Sequence, residues 1–259
     1  MTVTRDTSQR RLLISELVRQ QGSVQVNPLA ERFGVSVQTV RKDLRYLAER
    51  GVITLTYGGA IDSSAVGAPA AEPAYETKRT VHLDEKRRIG RRAAALVTPG
   101  DTIAIDSGTT AIQLAEALPD IEVTVVTNDF GVLTALTRKS QISIVMLGGE
   151  LRRKNMAFYG GLTVDALDAL HVDVVFLGVD GFDLERGITT HYEPEALLNR
   201  KMVGAARKVV AITDSSKFGR ICLHRILPVS ELDVLITDTG APAEIREASH
   251  QIGFELLLA

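Results

Sequence analysis

The sequence predicts an α/β protein in two parts: a small, basic, helical head closed by a hairpin, and a larger body built on a parallel sheet. Three observations carry this. Residues 1–60 show apolar residues at helical spacing and hold nine Arg or Lys against five acids. Residues 61–80, IDSSAVGAPAAEPAYETKRT, are rich in Ala, Pro, Ser and Gly and keep neither a helix nor a strand period, so they read as a linker. Over residues 81–259, continuous Val/Ile/Leu runs alternate with helical patterns, as in a parallel sheet covered on both faces. A chain of 259 residues accommodates one small and one medium domain.

In the head, SQRRLLISELVRQQG places Leu12, Leu13, Ile14, Leu17 and Val18 on one helical face, and Gly22 stops it. VNPLAERFG reads as a second helix, with Asn27 as N-cap and Pro28 at the first helical position, ending at Gly34. A third helix, SVQTVRKDLRYLAERG, starts at the cap Ser36 and ends at Gly51. Its apolar face is Val37, Val40, Leu44 and Leu47, and its polar face carries Gln38, Thr39, Arg41, Lys42 and Arg45. VITLTYGGA follows, β-prone and closed by Gly58-Gly59, which suits a hairpin. Helix, helix, four-residue turn, helix and hairpin make a winged helix-turn-helix. Such a helix enters the major groove of double-stranded DNA by its N-terminal half. Gln38 and Thr39 have groups that read base edges, and Arg41 has the fork that matches guanine. Lys42 and Arg45 are placed for phosphates, the capping Ser36 is counted with the DNA-binding residues, and the wing, with Tyr57 and Gly58, is placed for the backbone or minor groove.

Charge agrees with this division. The whole chain is −2, but residues 1–60 are +4, which leaves −6 for the rest. A basic head on an acidic body directs the head, and not the body, to a polyanion. No apolar run approaches the length of a membrane span, and MTVTRDTSQRR has no apolar core of a signal peptide. The single cysteine, Cys222, allows no internal disulfide and no cysteine cluster for a metal. A cytoplasmic protein with no cofactor, metal or membrane partner is expected.

The stretch LAERFGVSVQTVRKDLRYLAERGVITLTYGGA resembles the head of DeoR-type bacterial transcriptional regulators. That resemblance implies a winged helix-turn-helix joined to a sugar-phosphate-sensing domain. The family wing usually has one or two Arg before its Gly-Gly, where this chain has Thr54, Leu55 and Thr56, so a wing arginine contact does not carry over.

The body alternates from residue 84: helix DEKRRIGRRAAALV, strand TIAID, helix TTAIQLAEAL, strand EVTVVT, helix DFGVLTALTR and strand ISIVML. Strand VDVVFLGVDG, helix EPEALLNRKMVGAARK and strands VVAITD, LDVLIT and FELLL complete it. In such sheets ligands sit at the carboxyl ends of the strands. Each of those ends is polar or glycine-rich: Asp106-Ser107-Gly108-Thr109-Thr110, Thr127-Asn128-Asp129, Gly148-Gly149-Glu150, Asp180-Gly181-Phe182-Asp183 and Asp214-Ser215-Ser216-Lys217. In IDSGTTAIQLAEAL the Ser-Gly-Thr-Thr turn opens a helix, offering free backbone N–H groups, hydroxyls and the positive end of the helix dipole to a phosphate. Ile105 stands where a nucleophile elbow needs Gly, and the five histidines sit in no triad, so neither a nucleophile nor any other catalytic residue is assigned. Asp180, Asp183 and Glu195 are carboxylates for sugar hydroxyls, with a loop or capping role the alternative for each. Lys217 and Arg152, the latter in GGELRRKNMAFYG, supply positive charge near an anionic group.

Residues 75–258 resemble the sensor domain of the same family, whose fold is similar to that of ribose-5-phosphate isomerase and glucosamine-6-phosphate deaminase. DSGTT matches the isomerase phosphate loop, Asp180-Gly181-Phe182-Asp183 its Asp-Gly-Ala-Asp segment, Glu195 its catalytic glutamate, and TDSSK its strand-Asp-x-Ser-Lys. The isomerase's lysine-containing Gly-rich segment is replaced here by ERGITTHYEP. Sugar-phosphate binding without isomerase chemistry is what this implies. QQGSVQVN, LRRKNMAFYG, FLGVDGFDLERGITTH, EALLNRKM and TDSSKFGR are similar to the N-acetylgalactosamine-operon repressor group within the family. The expectation is a homo-oligomeric repressor, dimer or tetramer, that binds operator DNA under control of a phosphorylated sugar. The alternative is a sugar-phosphate isomerase or deaminase with an attached DNA-binding head and Glu195 as its base.

Overall fold

A computed structural model describes residues 6–21, 23–56, 59–62 and 75–259. The chain divides into two compact units, Met1–Thr77 and Lys78–Ala259. In the first, α1 (Thr7–Gln21) leads through β1 (Ser23–Gln25) into α2 (Val26–Phe33) and α3 (Val37–Ala48), then β2 (Ile53–Thr56) and β3 (Gly59–Asp62). The α2–α3 turn is closed by Gly34 in the left-handed region at φ 63°, and by Ser36, whose hydroxyl accepts the Thr39 N–H at 3.1 Å. The hairpin gains a third strand the sequence did not announce: β1 pairs antiparallel with β3, placing Val24 opposite Ala60. Gly59 is required there, because a Cβ would lie 2.1 Å from the Val24 carbonyl oxygen. Ile14, Val18, Phe33, Val40 and Leu44 fill the core between helices and sheet.

Two local expectations change. Extended Gln25, not Asn27, precedes α2, so Asn27 and Pro28 lie inside its first turn, where a missing N–H costs nothing. Leu12 is exposed, because α1 turns Ile14, Leu17 and Val18 inward instead. Tyr57 and Gly58 lie outside the described residues. Of the stretch read as linker, residues 61–62 finish β3 and Tyr75–Thr80 form α4; residues 63–74 lie outside the described residues.

The second unit continues with α5 (Leu83–Ala94), β4 (Thr102–Ile105), α6 (Thr109–Ala117), β5 (Val123–Thr127), α7 (Phe130–Leu136), β6 (Ile142–Met146), β7 (Glu150–Arg152), β8 (Ala157–Tyr159) and α8 (Gly161–Ala166). It then runs through β9 (Val172–Gly178), β10 (Gly181–Asp183), β11 (Gly187–Thr190), α9 (Glu193–Ala205), β12 (Ala206–Ile212), β13 (His224–Leu227), β14 (Val234–Thr237), α10 (Ala243–Ala248) and β15 (Glu255–Leu258). Seven strands form one sheet in the order β15-β14-β12-β9-β4-β5-β6, and every pair in it is parallel. Alternation along the strands splits the core into two layers. Ile103, Ile105, Val174 and Phe176 pack on one face with Ile89 of α5 and Leu114 of α6; Ala104, Val175 and Leu177 pack on the other with Ala196 and Met202 of α9.

The run read as one strand to residue 181 breaks at Gly178. Its continuation, β10, belongs to a separate antiparallel sheet with β11 and β13, and β7–β8 form a small hairpin. The chain runs from β4 toward β5 and β6 on one side, and from β9 toward β12 and beyond on the other. The crevice at the carboxyl ends of β4 and β9 is therefore the switch point of the sheet. Among the described residues, no helix is long and apolar enough to cross a membrane.

Helices α5 and α6 approach closely at Gly90, where a Cβ would lie 2.5 Å from the backbone of Gln113. Gly90→Ala forces the helix backbones apart. The expected result is a net loss of about 1–3 kcal/mol in urea denaturation, despite alanine's better helix propensity.

Candidate functional site

The head presents one polar face. Gln38, Arg41, Lys42 and Arg45 are exposed along α3, while Val40, Leu44 and Leu47 hold its other side in the core. Thr39 is half-buried, and its hydroxyl lies 2.8 Å from that of the capping Ser36. A feature of α3 that sequence reasoning missed is Asp43, 1 % exposed. Its two carboxylate oxygens receive Arg10 Nε at 2.6 Å and Arg11 Nε at 2.8 Å, which fastens α1 to α3. Arg11 and Arg50 also lie over the ring of Tyr46, at 3.6 and 3.4 Å from its centroid.

In the body, the strand ends bring a polar cluster together. Asp106, fully buried at the end of β4, accepts the Gly178 N–H at 3.2 Å and the Asn199 side-chain amide at 3.0 Å through Oδ2. Ser107 Oγ lies 3.0 Å from Tyr159 Oη, which receives Asn155 Nδ2 at 2.6 Å and donates to Glu195 Oε2 at 3.4 Å. Thr190 Oγ1 reaches Glu195 Oε1 at 2.8 Å and Asp180 Oδ2 at 3.2 Å. Lys78 Nζ pairs with Asp180 Oδ1 at 2.8 Å. Burial and the Glu195 carboxylate push Asp106 well above the usual carboxylate range, and burial with Glu195 does the same to the Tyr159 hydroxyl. Asp180 goes the other way: burial opposes its charge, but Lys78, Lys217 and His191 outweigh it and hold it low. Burial holds the Lys217 ammonium below its ordinary value, against the attraction of Asp180 and Asp214.

Gly108, at φ 134°, opens α6, and Thr109 and Thr110 form its first turn, where helix N–H groups lack partners within the helix. The Gly108 N–H itself donates to Asp129 Oδ2 at 3.1 Å, and Asp129 Oδ1 caps α7 through the Val132 N–H at 2.8 Å. Thr127 Oγ1 accepts the Asp129 N–H, and Asn128 donates to the Phe158 carbonyl. Gly148 accepts from Thr163 Oγ1 at 2.5 Å, and Gly149 sits against it at φ 136°, where a Cβ would meet that hydroxyl. Arg152 stacks on Tyr192 at 4.1 Å, and that ring meets Tyr159 edge-on at 5.3 Å.

Asp106, Ser107, Asp180 and Glu195 thus share one hydrogen-bonded cluster. Asp183 is not brought into it: its Oδ1 accepts the N–H groups of Glu185 and Arg186 and closes the β10–β11 turn. Tyr159, Asn155, Thr190, Asn199, Asp129 and Lys78 join the cluster or its rim without having been predicted. Asn199 had left a signal, a polar residue within the buried stripe of α9 beside Leu198 and Met202. Four side-chain oxygens in and around this cluster, Asp106 Oδ1, Asn128 Oδ1, Asn155 Oδ1 and Asn199 Oδ1, are buried without a hydrogen-bond partner, as is Thr237 Oγ1 at the end of β14. The three amide oxygens call for a donor from outside the chain, whereas Asp106 Oδ1, which carries the proton that burial favours, calls for an acceptor. Among the described residues, no group of three or more His, Cys, Asp or Glu is placed to hold a metal ion.

An exposed basic helix on a winged head, joined to an α/β body with a buried polar cluster at its switch point, defines a DNA-binding regulator with a sensor domain. Residues 10–65 match the DeoR-like helix-turn-helix domain, and residues 81–239 match the DeoR C terminal sensor domain. The chain belongs to the DeoR family of transcriptional regulators. It is 41% identical to a protein of Escherichia coli O157:H7 assigned as the aga operon transcriptional repressor, over 97% of this chain and 94% of that one. It is 34% identical to the glycerol-3-phosphate regulon repressor of Escherichia coli strain K12, over 96% and 98%. Among solved structures, ribose 5-phosphate isomerase A from Methanocaldococcus jannaschii aligns over 53% of this chain and 55% of its own, at 19% identity and a TM-score of 0.40.

Burial pushes the Asp129 carboxyl up to about 6, against the Val132 and Gly108 amides that favour its charge. The folded state therefore holds a proton that the unfolded chain releases near pH 4, and stability falls as pH rises between those values. The loss is worth up to about 3 kcal/mol. Denaturation of the body from pH 4 to 7 should show that decline, and Asp129→Asn should remove this share of it, leaving the part that Asp106 contributes.

Proposed function

We propose that this protein is a sequence-specific DNA-binding repressor of a carbohydrate or amino-sugar catabolic operon, released by a phosphorylated sugar. The observation that carries the reading is the set of partnerless buried acceptors at the switch point, in a chain that also bears the exposed face of α3. Sugar hydroxyls are donors that satisfy such acceptors, with Glu195 and Asn199 beside them. The phosphate falls to the first turn of α6, where the helix dipole contributes about 0.3–2 kcal/mol, and to the Lys217 ammonium. Thr127, Asn128, Gly148, Gly149 and Arg152 line the neighbouring strand ends and shape the rim. In the head, Gln38 and Arg41 read bases, Ser36, Lys42 and Arg45 hold phosphates, and Thr39 supports the cap. Tyr57 and Gly58 of the wing touch the backbone.

The relatives' names support the regulated class, since one is a repressor for the aga operon and another for a glycerol-3-phosphate regulon. A helix-turn-helix that reads paired half-sites needs two heads, so the working form is a homo-oligomer, dimer or tetramer, acting in the cytoplasm. No cofactor enters this scheme.

Fluorescence anisotropy of a duplex from the gene's own upstream region, at fixed salt, tests the reading. Tight binding that one member of a phosphosugar panel weakens tenfold or more is the expected result. Binding that no phosphosugar changes removes the effector half. Turnover of ribose 5-phosphate or an amino-sugar 6-phosphate that Glu195→Gln abolishes would instead make the body an enzyme.

The two kinds of head contact separate by mutation. Arg41→Ala should cost about 1–3 kcal/mol at the cognate site and relax preference at one base pair. Lys42→Ala should weaken all sequences alike and lower the salt slope by about one. Equal losses on cognate and random duplexes for both variants would remove the base-reading role of Arg41.

A further inference from the structure

Lysines fasten the short helix that enters the body to the polar cluster. Lys78 of α4 pairs with Asp180 at 2.8 Å, with the two side chains only 20% and 12% exposed. Asp180 and Glu195 share the Thr190 hydroxyl, whose single proton serves one carboxylate at a time. Lys78, Asp180, Thr190 and Glu195 thus form one line of polar contacts from α4 into the cluster. Lys86 of α5 closes the C-terminal end of α4, donating to the carbonyls of Lys78 at 2.6 Å and Val81 at 2.7 Å. Asp214 draws both Lys86 and Lys217. Three ammonium groups, Lys78, Lys86 and Lys217, thus gather around Asp180 and Asp214. In chain order, α4 is the element between the winged head and the rest of the body.

We infer that Lys78 is a positioning residue of the effector site: an anionic group bound beside Lys217 draws the Lys78 ammonium off Asp180 and loosens α4. Occupancy of the cluster thereby reaches the segment that leads to the head. This deepens the phosphorylated-effector reading and rests on it. The coupling is as strong as the anion's preference for the loosened state over the fastened one.

Hydrogen–deuterium exchange of residues 75–82 in the full chain tests this, with inorganic phosphate and galactosamine 6-phosphate as probes. In the wild type, either probe should raise exchange there threefold or more. Lys78→Gln and Asp180→Asn should exchange fast without any probe and gain less than 1.5-fold with it. Lys78→Arg, which keeps the cation, should behave as the wild type, and unchanged protection in β4 and β12 reports an intact body in each variant. Wild-type exchange in Lys78→Gln, with and without probe, would overturn the inference. Operator anisotropy separates the two readings. If the probes release DNA equally from wild type and Lys78→Gln, the fastening fails and the repressor reading stands. If the probes open 75–82 in the wild type alone yet never release DNA, the fastening stands and the repressor reading fails.

Discussion

The body depends on a carboxylate placed where two strands part. Asp106 ends β4, and its Oδ2 accepts the first amide beyond the core of β9, at Gly178. A side chain at 178 would lie 2.9 Å from the Ser107 carbonyl oxygen, so glycine is what lets the two strand ends meet. With the ends joined, Ser107 faces Tyr159, Asn199 reaches Asp106 from α9, and the chain leaving β9 is directed to Asp180. Holding a carboxylate in so buried a place is costly unless it is hydrogen-bonded or protonated, and Asp106 does both: two donors serve one oxygen, and burial beside Glu195 favours its proton.

From this junction the site acquires two ends of opposite character. Around Asn155, Asn199 and Glu195 the chain offers acceptors, the two amide oxygens among them without partners. Around Asp180 it gathers cations, whose combined field keeps that carboxylate charged despite burial. A ligand with hydroxyl donors at one end and an anion at the other matches both. Low local dielectric strengthens each of these contacts and penalises each one left unmade.

Much of this was legible in the chain. Strand ends are easy to find when every strand is a short apolar run, and Asp106, Ser107 and Asp180 were picked out by the rule that parallel sheets bind ligands there, while Glu195 was picked out at a helix start and by likeness to the isomerase. What escaped was whatever the period conceals. Asn199 hid inside an apolar stripe, and Asp43 sat on a helix whose other charges point outward. The break of β9 at Gly178 was unreadable because nothing in the three residues from Gly178 to Asp180 stops a strand, and only the pairing of β10 with β11 separates the two. Asp183 looked like a site carboxylate because it stands at a strand end beside Asp180, yet local geometry turns it to the amides of its own hairpin. Tyr159 and Asn155 lie far along the chain from Ser107, so tertiary packing alone brings them to it.

The buried Arg10–Asp43–Arg11 arrangement bears on how strongly the head feels a polyelectrolyte. Nine basic residues precede position 61, but Arg10, 4% exposed, and Arg11 are bound to a carboxylate inside the fold. One carboxylate cancels one of the two guanidinium charges, and a cation cancelled inside the fold displaces no condensed counterion from a duplex. The ionic-strength sensitivity of binding is set by the phosphates that Lys42, Arg45 and their exposed neighbours meet, and formal charge overstates it. The same locked arginines fix the tilt of α3 against α1, so the acid that removes charge from the surface is also the one that sets the angle at which the remaining charge is presented.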